Sequence, residues 1–205
     1  MTGYLFSSNE FLMNYQAASN FLATQLRMAM SGAEDYDFLR GDGANKAMGI
    51  VSVGCGIERN RAVANQIAYA DILNMYVRAK MGGSLIWIAS QTVIPQLGAM
   101  VDTGNHNIWI SGSAGPGAAA SIPQTLLGIP LIYSDRLPAL GTKGDLILDD
   151  LSYSLIKNGS GPRVDIITDV RFTTDETAFR IVWYVDGNAW LNEAIPIEGS
   201  VANTV

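Results

Sequence analysis

One cysteine and one histidine stand in 205 residues, and this scarcity closes off most site chemistry. Cys55 alone cannot form an intrachain disulfide or a cysteine-based zinc site. With no base beside it in the sequence it reads as a small, buried or half-buried residue rather than a nucleophile. His106 would have to serve any Ser-His-Asp triad, yet Asn105 and Asn107 flank it in a turn after Gly104, the setting of a surface-loop residue. Charge is sparse as well: 16% of the residues are charged, against roughly 25% in an ordinary soluble domain. The net charge is −6, and the 13 lysines and arginines are scattered. The densest pair, Arg59 and Arg61, lies beside Glu58, so the basic stripe of a dedicated DNA-binding domain is missing. No apolar run approaches the roughly 20 residues of a membrane-spanning helix. The first residues lack the basic region and apolar core of a signal peptide. These absences describe a soluble chain made in the cytoplasm.

What is present is apolar. Hydrophobic residues make up 48% of the chain, too many for a disordered sequence. A weakly charged, slightly hydrophobic surface suits a protein covered by neighbouring subunits, although a large monomer core gives the same composition. The length allows one large domain or two small ones.

Ser7-Ser8-Asn9-Glu10 has the Ser-x-x-Glu form of a helix capping box. Behind it Phe11, Leu12, Tyr15, Ala18, Leu22, Leu26, Ala29, Met30 and Ala33 recur at helical spacing, predicting one long helix over 8–39. Gly32 inside it marks a bend or a close contact, and Gly41 and Gly43 end it by taking the left-handed cap conformation. A second helix is predicted over 60–81, stopped by Gly82-Gly83. Residues 84–89 (Ser-Leu-Ile-Trp-Ile-Ala) read as a buried central strand. A short helix over 90–100 and a small-residue loop over 111–121 follow. Strands are predicted over 129–134, 145–157, 163–172, 179–184 and 190–197, with turn signals at 158–162, 173–176 and 186–188. The order of helix, mixed middle and strands is that of an α+β chain.

Several motifs fail on inspection. Gly54-Cys55-Gly56 would need a third glycine at 59 to complete a dinucleotide fingerprint, and that residue is Arg59. The glycines from Gly112 to Gly117 lack the Gly-Lys-Ser/Thr of a phosphate loop. Asp145, Asp149 and Asp150 could suggest a divalent cation, but Asp149 and Asp150 on one strand point to opposite faces. Solvated charges or intersubunit pairs are the expectation there. Trp87, Trp109, Trp183 and Trp190 fall on or near predicted strands, where core packing explains them better than ligand stacking.

The run Ala33-Glu34-Asp35-Tyr36-Asp37-Phe38-Leu39-Arg40-Gly41-Asp42-Gly43, closing at Gly49-Ile50, resembles the "AED-x-x-F-L-x-GDG-x-x-x-x-x-GI" pattern of tailed-bacteriophage major capsid proteins. Leu85 to Thr92 is similar to the family's "x-W-V-x-N-P-x-T" passage from strand to helix. Thr125 to Ser134 resembles "L-L-G-x-P-V-x-x-S", followed by Leu137-Pro138 where the family often has Met-Pro. Gly144-Asp145 and 148–156 resemble the return "G-D-φ-S-x-Y-x-φ". Residues 163–187 are similar to closing strands ending "F-x-x-D-x-x-x-F-R-x-x-x-x-x-D-G".

The resemblance spans nearly the whole chain and implies the phage major-capsid fold. Residues 1–52 and 148–205 would form a peripheral domain of spine helix and β-sheet, and 53–147 a mixed α/β axial domain. It implies a non-enzymatic shell protein without catalytic residues, metal or cofactor, assembling with itself into pentamers and hexamers. Expected partners are portal, scaffolding and decoration proteins and packaged double-stranded DNA held without sequence-specific contacts. The expected location is the virion, after assembly in the host cytoplasm. An encapsulin-like nanocompartment is the alternative within the fold, and a small α/β enzyme the alternative outside it. The family's N-terminal arm and extended hairpin have no counterpart before the spine helix, as in a C-terminal portion of a longer protein or a short variant. A crosslinking lysine on that hairpin has no equivalent here. Gly43→Val is expected to impair folding or assembly.

Overall fold

The computed structural model describes residues 1–14, 18–52, 56–79, 83–101 and 125–190. By contacts the chain falls into two compact units, Met1–Ser52 with Leu155–Asn188, and Val53–Ser154 with Ala189–Val205.

The first unit is a helix laid on a sheet. It opens with a strand that the sequence reading missed, β1 (Thr2–Ser8). Its side chains alternate, with Thr2, Tyr4 and Phe6 outward and Gly3 and Leu5 inward, the period of a half-buried strand. β1 pairs antiparallel with β7 (Glu176–Ala189), placing Leu5 opposite Phe179 and Tyr4 opposite Arg180. β6 (Ser154–Arg171) completes the order β1-β7-β6. A short 3-10 turn at Phe172–Thr174 and a left-handed Asp175 (φ 52°) join β6 to β7.

Within the span of the expected 8–39 helix stand α1 (Asn9–Asn14) and α2 (Ala18–Arg40), and positions 15–17 lie outside the described residues. The cap lies one residue later than the capping-box pattern suggests: the Phe11 amide donates to Oγ of Ser8, the last residue of β1, at 3.3 Å. α2 runs unbroken through Gly32. Leu22, Leu26 and Met30 recur every fourth residue and meet Leu5, Phe179, Ile181, Val164 and Trp183 in the core of this unit. Gly3 permits the close approach, because a Cβ there would lie 3.1 Å from Ile181 and 3.3 Å from Met30. Each fully buried side chain of this kind contributes roughly 1.5–3 kcal/mol.

Turn signals at 158–162 and 186–188 do not produce turns. β6 continues through Asn158-Gly159-Ser160-Gly161-Pro162, because an edge strand has one side on which proline's missing N–H costs nothing. β7 continues through Asp186-Gly187-Asn188, where Gly187 accepts a hydrogen bond from the Met48 amide at 2.9 Å and lies against the Phe38 ring.

The second unit is built on a four-stranded sheet of order β3-β4-β2-β5: β2 (Leu85–Ser90), β3 (Thr125–Leu126), β4 (Ile129–Ser134) and β5 (Leu146–Asp150). β2 pairs parallel with β4 and antiparallel with β5, as its apolar run predicts for a central strand. Trp87 is fully buried at its centre, with its indole N–H on the Leu126 carbonyl at 3.1 Å. Ile72, Ala89, Val93, Leu97, Leu131 and Leu146 pack around it.

The helix expected over 60–81 is confined to α3 (Tyr69–Arg78). Before it, Asn65 is left-handed (φ 58°), and Gln96 fixes the extended chain by accepting from the Ile67 amide and donating to the Asn65 carbonyl. Those contacts replace helical hydrogen bonds. The expected 90–100 helix is a 3-10 turn at Gln91–Val93 leading into α4 (Ile94–Gly98). The 145–157 strand is interrupted by a 3-10 turn at Leu151–Tyr153, where Asp150 accepts from the Ser152 amide. β5 therefore belongs with β2 in the second unit, and the chain leaves that unit at 154/155 rather than 147/148. The 190–197 strand reading lies largely outside the described residues, with Trp190 in a bend.

Candidate functional site

The described residues bring no catalytic constellation together. Cys55, His106, Trp109, Gly54 and the 111–121 loop lie outside them. Among the described residues no group of three His, Cys, Asp or Glu side chains could hold a metal ion. No described helix is long and apolar enough to cross a membrane.

The aspartates correct the expectation of solvated or intersubunit charges. Asp145 is buried, and both of its carboxylate oxygens accept from Nη2 of Arg61 within its own chain. Its second oxygen accepts the Gly141 amide at 2.9 Å, and its carbonyl accepts the Ser90 amide at 2.8 Å. The Asp145 carboxylate thus ties the loop before α3 to the loop before β5, and its backbone carbonyl holds the end of β2. Asp150 is also buried, and Gly83 passes so close that a Cβ there would strike its carboxylate. Asp149 points to the other face, as the strand period requires. Burial raises its pKa above the ordinary value of 3.8; the Asp150 amide lowers it and the Asp150 charge raises it further. The Tyr133 hydroxyl is buried without a hydrogen-bond partner among the described residues, and burial pushes its pKa up to about 12.

The Gly-Asp-Gly turn works differently from the helix-stop reading. Gly43 is left-handed (φ 77°), but Gly41 is not; Gly41 is needed because backbone packs against it. A Cβ on Gly41 would run into the carbonyl oxygens of Ala47 and Asp37. Around this point Gly41 donates to Asp37 at 2.8 Å, Gly49 to Gly41 at 2.9 Å, Ile50 to Phe38 at 3.0 Å and Val51 to Leu39 at 3.1 Å. The Ala44 amide on Asp42 holds that carboxyl below its usual pKa, against slight desolvation and with help from Lys46.

What the molecule offers instead of a cleft is uncovered apolar surface. On the face of the first sheet away from α2 stand Tyr4 (64% exposed), Phe6 and Tyr184 (66% exposed). They share it with Arg180, which donates to Asp165 at 2.7 Å, and Arg163, which donates to the same carboxylate at 2.9 Å. The hydrogen bonds from Arg180 and then Arg163 hold Asp165 below the ordinary carboxylate range. The guanidinium of Arg171 stacks 4.0 Å above the Phe6 ring, and Phe172 stands 86% exposed beside it in the β6–β7 turn. On α2, Phe21, Met28 and Tyr36 form an exposed stripe opposite Leu22, Leu26 and Met30. In the second unit Val63, Leu73 and Val77 are exposed as well. Scattered single apolar residues are ordinary, whereas aromatic patches of this extent mark contact surfaces. Sequence periodicity could not find them, since it reports which residues are apolar and not which faces lack a cover.

A spine helix on an antiparallel sheet, a second α/β unit and large uncovered surfaces define a shell-building subunit. The chain belongs to the phage capsid family, whose model matches residues 2–197. The capsid of the native GTA particle superposes with a TM-score of 0.79 at 15% identity, covering 95% of this chain and 69% of that one. The empty GTA particle, computed with C5 symmetry, gives 0.77 at 15% identity over 92% and 68%. The holo-SrpI encapsulin of Synechococcus elongatus gives 0.67 at 14% identity over 95% and 70%. No curated protein sequence matches. The chain is a capsid shell protein, a structural component and not an enzyme, with the capsid fold of these particles.

Proposed function

We propose that this chain is the major capsid protein of a tailed phage, forming by self-assembly the icosahedral head around a double-stranded DNA genome. The observation that carries the reading is the family match over residues 2–197, joined to aromatic surface left uncovered in a single copy. In this reading the first unit is the peripheral domain, and the second the axial domain gathered around fivefold and quasi-sixfold axes. The same chain then occupies pentamers and hexamers, because head-to-tail contacts close into rings when the rotation per subunit allows. A net charge of −6 suits a wall that confines DNA without gripping it, since each neutralised phosphate would add to binding. Portal, scaffolding and decoration proteins are the further partners, with assembly in the host cytoplasm before incorporation into the virion.

Electron microscopy of the purified chain, with light-scattering mass on the same sample, tests the proposal. Closed shells or ring-shaped capsomers are expected, and a monodisperse monomer at assembly concentrations counts against it. The likeness to an encapsulin favours one second reading, a compartment holding protein cargo. Particles from the native host with the ultraviolet absorbance ratio of pure protein would select that reading over a genome container.

A further inference from the structure

We propose that β6 is an interface strand, whose free edge pairs antiparallel with the same edge of a second copy across a two-fold axis, Ile166 facing Ile166. The inference rests on the shell reading and deepens it, because a closed icosahedral shell contains two-fold contacts between copies.

Among the described residues β6 lies at the edge of the order β1-β7-β6, so one row of its backbone N–H and C=O groups lacks a strand partner. The strand spans Ser154–Arg171, and almost all of it is exposed, including Leu155, Ile156, Ile166, Ile167 and Val170. Edges of this kind template pairing with another chain unless they are guarded. The first half is guarded: Gly159, Gly161 and Pro162 weaken it, and proline offers no donor. The second half, 163–171, contains neither glycine nor proline and consists mainly of β-branched and charged residues.

Charge selects the partner and the register. Arg163-Val164-Asp165-Ile166-Ile167-Thr168-Asp169-Val170-Arg171 is mirror-symmetric in charge about Ile167. A two-fold antiparallel ladder must be centred on a residue, so that hydrogen-bonding positions of the two edges face each other. Centring on Ile167 sets Arg163 against Arg171 and Asp165 against Asp169, like charges directly opposed, which destabilises a pair. Centring on Thr168 sets Asp165 against Arg171, and both are already engaged. Asp165 lies between Arg163 and Arg180, while Arg171 donates to Glu176 at 2.8 Å and stacks on Phe6.

Centring on Ile166 sets Arg163 against Asp169 twice, once on each side of the axis. Among the described residues Asp169 has no cation; it accepts only from Thr168 at 3.2 Å. Arg163 has a side chain 70% exposed, and when it swings to the second copy Asp165 keeps Arg180. Val164 then faces Thr168, and Ile166, 56% exposed in one copy, is covered at the axis. Pairing runs over 163–169 and stops at Pro162, where the donor is missing. A two-fold axis normal to the sheet keeps the Arg–Asp pairs of both copies on one face.

Cysteine trapping in a Cys55→Ser background tests this on the full chain under assembly conditions. Ile166→Cys is expected to form covalent dimers on mild oxidation. Val164→Cys and Thr168→Cys, each placed about 13 Å from its own counterpart by the four-residue offset, are expected to remain monomeric. Within the Ile166→Cys chain, Arg163→Asp or Asp169→Arg alone should lower dimer yield at least several-fold, and the two together should restore it. Dimers preferring Ile167→Cys or Thr168→Cys overturn the register and with it the proposal. So does an Ile166→Cys thiol that stays reduced, whether it reacts freely with maleimide (an open edge) or is blocked by another segment. Electron microscopy of the same samples separates the two levels. Shells without the Ile166 crosslink leave the capsid reading standing and refute the pairing, whereas crosslinked dimers that never form shells or capsomers do the reverse.

Discussion

Replacing Gly41 by alanine adds one methyl group where the chain turns back along the end of α2. That methyl would sit 2.5 Å from the Asp37 carbonyl oxygen and nearer still to the Ala47 oxygen. Neither oxygen is the tip of a flexible side chain. Asp37 O accepts from the Gly41 amide itself, and Ala47 lies within the returning segment that donates to Gly41, Phe38 and Leu39. Relief requires moving the last helical turn or residues 47–51, which stretches one or two of these hydrogen bonds at about 0.5–1.5 kcal/mol each. Overpacking strain adds about 1–3 kcal/mol. The sum is about 3 kcal/mol, and for a chain of this size it lowers the thermal midpoint by about 6–12 °C. Circular dichroism melts of Gly41→Ala and Gly161→Ala make the comparison, since a Cβ on Gly161 meets nothing within 4 Å. Gly161→Ala should melt with the wild type. A Gly41→Ala midpoint within about 1 °C of wild type would refute the argument that backbone contact, rather than helix capping, requires glycine here.

The buried pair in the second unit should be costly to break from one side. Arg61→Ala leaves Asp145 buried without its cation and should destabilise by about 3–5 kcal/mol, read as a fall in the urea midpoint. Tyr133→Phe removes a hydroxyl that is buried without a partner among the described residues, so it should stabilise by about 1 kcal/mol and raise the thermal midpoint. Asp149 titrates in the opposite sense to a salt-bridged carboxylate. Burial raises its folded pKa above 3.8, so its protonated form stabilises the fold below that value and the contribution is lost as pH rises through the folded pKa. Asp149→Asn should therefore be more stable than wild type at pH 7. The gain should shrink as the medium is acidified toward the ordinary carboxylate range; a gain independent of pH would refute the assignment.

The parts of the fold written locally in the sequence were legible. The apolar run 84–89 becomes the central strand Leu85–Ser90 around Trp87, and 129–134 becomes β4 with the same bounds. The spine helix follows from its every-fourth-residue pattern. Legibility failed where a distant partner overrode local preference. Thr2–Ser8 alternates as a strand should, but it is short and becomes a strand by pairing with β7, far along the chain. Gly159 to Pro162 reads as a turn in every local scheme, yet Gly159 packs on Tyr184 and the strand carries on. Residues 60–68 have helical periodicity, but Arg61 is drawn to Asp145 and Gln96 takes the Ile67 amide. The contact surface was the least visible part, because Tyr4, Phe6 and Tyr184 are individually unremarkable and gain meaning only when no second layer covers them.

The two kinds of charge in this chain are spent differently, one inside the fold and one along the proposed interface strand. Asp145 is used up inside: buried, with both oxygens on Nη2 of Arg61 and one also on the Gly141 amide, it fixes loops and has nothing left to offer a neighbour. Along 163–171 Arg163, Asp169 and Arg171 are exposed; Arg163 shares the half-buried Asp165 with Arg180, and Asp169 has no cation among the described residues. An exposed Arg–Asp pair adds little by itself, because solvent screens it and two side chains must be ordered. That weakness suits a contact made between many copies. Each one can break and re-form until the register is right, while effective concentration within a growing ring or shell multiplies small gains into a stable whole. Like-charge opposition, by contrast, acts on the first encounter, so the symmetric charge order along β6 rejects the Ile167-centred register before any strong contact forms.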